Sequence, residues 1–256
     1  MDFRKKLVIQ GYSQDPVIDR YSQIGLWKSE SLVIHKYFKG CKAILDIGCG
    51  AGRTSIPLAL KGFEVKAIDI TPAMIRRAKE RIANHTVGHL SYEVMDCQNL
   101  RFLDQRFDGV LFSFNGIEHV PGIQGKKQAI HEIHRVLKKN GILILTAHSG
   151  LPFNRWGWRW VKRSVRYFLK KIFAKNLLER HFGERYYNDN VPESLYAHVI
   201  SIFHLKRLVV NGKFKILYFN SSRRIDQKKP PSFWSHFVDD DLFLVAKKLN
   251  KSVKSI

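Results

Sequence analysis

A chain of 256 residues suits one α/β domain with an appended lobe, and 45% hydrophobic with 12% aromatic residues supplies a buried core, which excludes global disorder. No run approaches the roughly 18 apolar residues of a membrane span, and the basic start MDFRKKLVIQ lacks the apolar stretch and cleavage site of a signal peptide. The net charge is +22, concentrated in residues 151–256, where 22 basic side chains face 8 acidic ones; this field favours phosphate-rich partners, nucleic acid or an anionic membrane, although a solubility trait explains it as well.

Apolar residues Ile24, Trp27, Val33, Ile34, Tyr37 and Phe38 recur at helical spacing over 16–38, ahead of a stop at Gly40. Short β-rich runs then alternate with helical stretches. Strands are predicted at 43–47, 64–69, 90–95, 107–112 and 142–146, and helices at 54–61, 72–84 and 126–138. Thr71 and Pro72 supply an N-cap and a first turn, and Asn140-Gly141 is expected to stop the helix before the fifth strand. Strands without polar alternation imply a parallel sheet covered on both faces. After an interruption at 149–200, a helix at 202–210 and strands at 214–219 and 242–246 should end the fold as an antiparallel pair at the sheet edge. Cys41, Cys49 and Cys97 show no Cys-x-x-Cys spacing and read as reduced thiols of a cytoplasmic protein.

The strongest local signal is ILDIGCGAGR, Ile44 to Arg53. It starts as a buried strand, turns through Gly48, Gly50 and Gly52, and opens a helix whose N–H groups can face a ligand. A dinucleotide fingerprint would place its third glycine at position 53, where Arg53 stands. Asp46, an acid at the strand end, repels a pyrophosphate but suits an ammonium, directly or through water. Asp69 closes the second strand, the usual place for an acid that holds ribose hydroxyls. Gly52 serves helix–strand packing equally well, Met74 also reads as core, and Asp96 also reads as a turn cap.

With these features the chain resembles class I S-adenosylmethionine (SAM) methyltransferases, especially those acting on small molecules. The blocks LDIGCGAGR, VKAIDITPAMIRRAKER, YEVMDCQNLRF, FDGVLFSFNGIEHVP and EIHRVLKKNGILILTAHS carry the resemblance in this order. It implies SAM as cofactor and S-adenosylhomocysteine as product. It sets Gly48 and Gly50 against the methionine moiety, Cys49 between them at the cofactor, Asp69 on the ribose, Ile70 and Met74 beside adenine, and Asp96 and Cys97 at its amino edge. Ser113 and Phe114 fall near the methionine end. Arg53 meets the cofactor carboxylate, caps a helix or forms a surface ion pair.

After strand four the chain reads Ser113-Phe-Asn-Gly-Ile-Glu-His119, without the Asn-Pro-Pro-Tyr pattern of many nucleobase and amide methyltransferases. The Glu118-His119-Val120-Pro121 run resembles ubiquinone-pathway O-methyltransferases, where a Glu-x-x-Glu-His cluster holds a divalent metal. Asn115 replaces the first acid, which disfavours the metal. His119, beside Glu118, is the general-base candidate, because a neutral imidazole near pH 7 can take a phenolic proton; closing a loop is its plainer role. His148, ending strand five, is a second candidate.

Residues 151–187 combine Trp156, Trp158 and Trp160 with an apolar stripe (Val161, Val165, Phe168, Leu169, Ile172, Phe173) and a basic one (Arg159, Arg163, Arg166, Lys170). Such a helix serves as a lid, docks on an anionic membrane, or contacts nucleic acid, the last being least favoured. The expected architecture is α/β: a Rossmann-like, seven-stranded, mostly parallel sheet with helices on both faces, an N-terminal helical addition and a helical insertion after strand five. It divides as a cap over 1–40, a SAM-binding core over 41–148, the insertion over 149–200, and the returning core with a basic tail over 201–256. The expected activity is methyl transfer to a small, lipophilic acceptor, O-methylation favoured. An RNA methyltransferase and a non-catalytic SAM-fold binding module are the alternatives.

Overall fold

Strands β1 (Ala43–Ile47), β2 (Glu64–Asp69), β3 (Leu90–Val94), β4 (Phe107–Phe112) and β5 (Leu137–His148) run parallel, and β8 (Phe214–Ser221) and β9 (Asp241–Lys248) complete the sheet. The strand order is β3-β2-β1-β4-β5-β9-β8, and β9 alone runs against both of its neighbours. The computed structural model describes residues 1–83, 89–149, 181–186, 196–239 and 241–250, together with 161–162, 165, 167–169, 172 and 179.

Both sheet faces are buried because successive strand residues point to opposite sides and nearly all are apolar. On one face Leu45, Val110, Leu143 and Leu145 pack against Ile130 and Ile133 of α6 (Gly122–Val136) and Leu205 and Val209 of α7 (Ile202–Asn211). On the other, Ile44, Val65, Leu111 and Ile144 meet Ile34 and Phe38, at and just beyond α3 (Lys28–Tyr37), Leu58 of α4 (Ser55–Leu60) and Ile75 of α5 (Pro72–Ala83). The chain leaves β3 at one end and crosses to β4 on the far side of β1. That reversal opens a crevice at the carboxyl ends of β1 and β4, where doubly wound sheets bind ligands.

Three expectations need correction. The single N-terminal helix is three: α1 (Phe3–Tyr12), α2 (Asp15–Gln23) and α3. Ile24 takes an extended conformation and the Gly25 carbonyl accepts from Arg53, which breaks the helix before Trp27. The helix before β5 ends at Val136, ahead of Asn140-Gly141, because Leu137 already pairs with Phe107; Asn140 (φ 63°) lies inside the strand at a register shift. The last two strands form the antiparallel pair expected at the sheet edge, with β9 between β5 and β8, but two short helices, α8 (Ser222–Asp226) and α9 (Ser235–Val238), connect them in place of a plain loop. Within the insertion, β6 (Glu184–Tyr186) and β7 (Tyr196–His198) form a separate antiparallel pair. Trp156, Trp158 and Trp160 and the basic residues Arg159, Arg163, Arg166 and Lys170 lie outside the described residues. Val161, Val165, Phe168, Leu169 and Ile172 are helical and exposed. Among the described residues no helix is long and apolar enough to cross a membrane.

Gly52 illustrates how the glycine turn divides its labour. Its φ is +87°, and an added Cβ would lie 2.6 Å from the Tyr92 hydroxyl and 3.0 Å from Ile56. Gly52→Ala should therefore destabilise the fold by about 1–3 kcal/mol, read as a lower urea midpoint. An unchanged midpoint would remove Gly52 from the packing between α4 and β3.

Candidate active site

A cleft of about 110 Å³ opens at the switch point. Gly48 and Cys49 donate their N–H groups to the Ile68 carbonyl (2.8 and 3.0 Å), which fixes the glycine turn to β2. The Asp69 carboxylate accepts from Gly50 N (3.0 Å) and Thr71 N (2.8 Å), so one side chain joins the turn to the start of α5. Burial raises its pKa, against the pull of those two N–H donors. A Cβ on Gly50 (φ +52°) would meet only the Met74 sulfur, at 3.9 Å, so the cradle is open on the cleft side.

Of the residues singled out in the sequence, Gly48, Cys49, Gly50, Arg53, Asp69, Ile70, Met74, Asp96, Cys97, Ser113, Phe114 and His119 line this cleft, whereas Asp46, Gly52 and Glu118 do not. Asp46 is buried behind the turn. Its Oδ2 accepts from Thr54 (2.6 Å), its Oδ1 has no hydrogen-bond partner, and burial pushes its pKa up to about 7. A direct ammonium contact from Asp46 is thus not what the geometry offers. Glu118 turns away from the cleft and accepts from the backbone N–H (2.7 Å) and Nδ1 (2.8 Å) of His148. Burial alone would raise Glu118, but the His148 charge and these bonds hold it at about 2; the same pairing raises His148 to about 9. His148 is therefore a cation in a structural pair, unsuited to act as a base at neutral pH. Among the described residues no group of three or more His, Cys, Asp or Glu is placed to hold a metal ion.

Arg53 forms a buried, bidentate ion pair with Glu30 (2.5 and 2.7 Å), and Ser113 bonds both partners. Its guanidinium lies 4.3 Å from the Phe114 ring centroid and 5.7 Å from that of Trp27. The ion pair expected at the surface is instead buried within the protein.

His119 is held by two groups. Its Nδ1 lies 3.1 Å from the Tyr196 carbonyl, which can only accept, so Nδ1 carries the proton; Nε2 faces the Tyr12 hydroxyl at 3.0 Å as an acceptor. Burial lowers its pKa, the Tyr196 bond opposing in part, so the imidazole is neutral at pH 7. The turn that presents it is strained: Phe114 (φ 54°) and Asn115 (φ 59°) are consecutive left-handed residues before the 3₁₀ turn Gly116–His119. Beneath that turn the buried Lys126 ammonium donates to the carbonyls of Ile117 (2.9 Å) and Val120 (2.6 Å), and burial brings its pKa to about 7.

Several lining residues escaped the sequence reading. Lys5, Val8 and Tyr12 come from α1, whose apolar residues show no helical stripe; only Asp2, capping Arg4 N at 2.8 Å, marked its start. Lys5 forms an ion pair with Asp96. Cys49 and Cys97 are free thiols with pKa values raised by burial, Cys97 to about 12, so neither is a nucleophile.

Residues 44–141 match the methyltransferase-domain family. A demethylmenaquinone methyltransferase of Lysinibacillus sphaericus is 29% identical over 68% of this chain and 73% of its own. A ubiquinone/menaquinone biosynthesis C-methyltransferase of Zymomonas mobilis is 34% identical over 45% of this chain and 46% of its own. A solved SAM-dependent methyltransferase of Methanosarcina mazei, 25% identical, superposes with a TM-score of 0.69 over 89% of this chain and all of that one. The matched region spans only 42% of one further curated relative, so the curated relatives are matched in part. Residues 44–141 thus form a methyltransferase domain, and sheet order and glycine turn give the chain the fold of class I SAM-dependent methyltransferases. Its cofactor is SAM, and the open Gly50 cradle beside the fixed Asp69 carboxylate suits that group.

Two predictions follow from these ion pairs. Glu30→Ala leaves the Arg53 guanidinium buried without its carboxylate and should cost about 3–5 kcal/mol, measured by chemical denaturation. A loss below about 1 kcal/mol would mean that water replaces Glu30. For Glu118–His148, the lowered Glu118 pKa gives stability present above 4.5 and lost as pH falls through about 2. The raised His148 pKa gives stability full below 6.5 and lost as pH rises through about 9. Lys126, lowered from 10.5 to about 7, works the other way over the alkaline range. The difference between wild type and His148→Gln should therefore shrink from pH 6.5 to 9; a constant difference would show that the pair does not titrate there.

Proposed function

We propose that the chain transfers the methyl group of SAM to a small, lipophilic acceptor whose reacting group gives its proton to His119. The observation that supports this reading most is that the neutral His119 imidazole lines the same cleft as the glycine turn and Asp69. SAM when bound supplies a methyl group activated by a sulfonium, so alignment and proton removal are what remain for the protein.

Gly48 and Gly50 let the backbone approach the cofactor, Asp69 holds its ribose hydroxyls, and Met74 and Ile70 flank its base. Asp96 is kept on the cleft wall by Lys5. The Tyr196 carbonyl fixes the His119 tautomer, leaving Nε2 to accept. The Tyr12 hydroxyl stands at that nitrogen in the absence of acceptor, so an acidic hydroxyl either takes its place or passes its proton through it. Oxygen is the favoured methylation site. The C-methyltransferase relative supports a second outcome from the same base, since ionising a ring hydroxyl makes the neighbouring carbon nucleophilic. The net charge of +22 is what keeps RNA as the competing acceptor. A cytoplasmic location, peripheral to a membrane through 151–187, belongs to the same reading.

Labelled SAM incubated with the chain and cell-extract fractions should label lipid-soluble or small metabolites; label confined to RNA would overturn the acceptor class. His119→Ala should lower kcat about 10²- to 10⁴-fold with SAM affinity, by calorimetry, nearly unchanged. Asp69→Ala should weaken SAM about ten- to a hundredfold. Undiminished turnover in His119→Ala would move proton removal elsewhere.

A further inference from the structure

The connection between β8 and β9 carries an apolar surface that the methyl-transfer reading does not use. Phe233 and Trp234 are 63% and 70% exposed, and Phe203 of α7 and Val238 of α9 are exposed beside them. This is a built feature rather than a loose tip. His236 lies between the Phe203 and Phe219 rings (centroids 5.1 and 4.3 Å), and Lys206 Nζ stands 2.6 Å from His236 Nε2. The Arg224 guanidinium donates twice to the Pro230 carbonyl (3.0 and 2.7 Å), which pins the Pro230-Pro231 turn ahead of the two exposed rings.

We propose that this surface, Phe203, Phe233, Trp234 and Val238 with Lys228 and Lys229, docks the protein on an anionic lipid bilayer. Charge and ring geometry select that partner. Residues 227–238 contain two lysines and no acid, and both lysines are exposed. Asp239, next in the chain, is buried and paired with Arg223 at 2.7 Å. Aromatic residues flanked by cations occupy the headgroup region, the rings among the acyl boundary and the lysines at the phosphates. Successive RNA bases would need parallel platforms. Here Phe233 and Trp234 are inclined at 71°, and neither is parallel to Phe237. A second copy of the chain would oppose the same lysines across a two-fold axis, in a protein already at +22.

The position of the surface gives the docking a purpose. β8 ends and β9 begins at the carboxyl edge of the sheet, where Asp241 pairs with His148 and accepts from Asn115 Nδ2 (3.1 Å). The docking surface and the cleft thus share one edge, and a membrane-dissolved molecule would reach the cleft from the side that meets the bilayer. The proposal stands on its own residues, separate from 151–187 and from the acceptor assignment.

The test is sedimentation of the full chain with phosphatidylcholine vesicles, with and without phosphatidylglycerol, near physiological salt. Phe233→Ser with Trp234→Ser, and Lys228→Glu with Lys229→Glu, should each lower partitioning onto the anionic vesicles by at least about tenfold, with phosphatidylcholine alone binding weakly throughout. SAM affinity, unchanged in both double variants, reports that the cleft is folded and separates this test from the methyl-transfer reading. Wild-type partitioning by either variant would overturn the proposal. So would a wild type that ignores vesicles, whether it binds RNA or forms a dimer that Phe233→Ser with Trp234→Ser dissolves.

Discussion

The Arg53–Glu30 ion pair is the interaction on which the site's assembly depends. Glu30 belongs to the N-terminal cap, Arg53 follows the glycine turn, and Ser113, bonded to both, directly follows β4. One buried contact therefore joins three segments distant in sequence. Glu30 also accepts from Trp27 N (2.8 Å), which sets the start of α3, and Arg53 holds the Gly25 carbonyl (3.1 Å). Burying two charges costs about as much as their attraction returns, so the gain over an apolar pair is in specification: this docking of the cap gives both Nη groups of Arg53 their acceptors. The cap in turn brings Lys5, Tyr12 and Tyr21 to the cleft wall.

A second set of contacts aims His119. Two left-handed residues, Phe114 and Asn115, are costly conformations for side chains of their size. Asn115 is held in place by Thr146 Oγ1 on its N–H (2.9 Å) and by Asp241 on its amide (3.1 Å). Lys126 gathers the carbonyls on either side of His119, and Glu118, one residue earlier, is committed to His148. Adjacent residues thus have opposite tasks. Glu118 anchors the turn to β5, and His119 faces the cleft.

The core strands were legible in the sequence because each is a short apolar run bounded by turn residues, and β1, β2 and β4 have the expected bounds. The glycine turn and Asp69 were legible for a related reason: their spacing encodes a backbone path. What failed to show depends on tertiary contact. Nothing local tells that Asp46 bonds Thr54 instead of facing the cleft, or that Glu118 reaches a histidine thirty residues away. Tyr12 and Lys5 were missed because α1 has no apolar stripe, its place being set by contacts to β7 and by Lys5–Asp96. The burial of Lys126 has no mark in the sequence either, since composition does not reveal which cation is enclosed.

These contacts converge on one edge of the sheet for a topological reason. Parallel strands deliver every βα connection to the same side, so the glycine turn, the Asp69 loop, the His119 turn and the segment after His148 are neighbours without any being adjacent in sequence. The antiparallel β9 brings the 222–240 connection to that side as well, since β8 arrives there and β9 departs from it. Had β9 been an ordinary parallel strand, its incoming connection would have crossed to the opposite edge, and Asp241 could not reach Asn115. The reversed strand therefore does more than close the sheet: it ties the strained turn that presents His119 to the connection that carries Phe233 and Trp234.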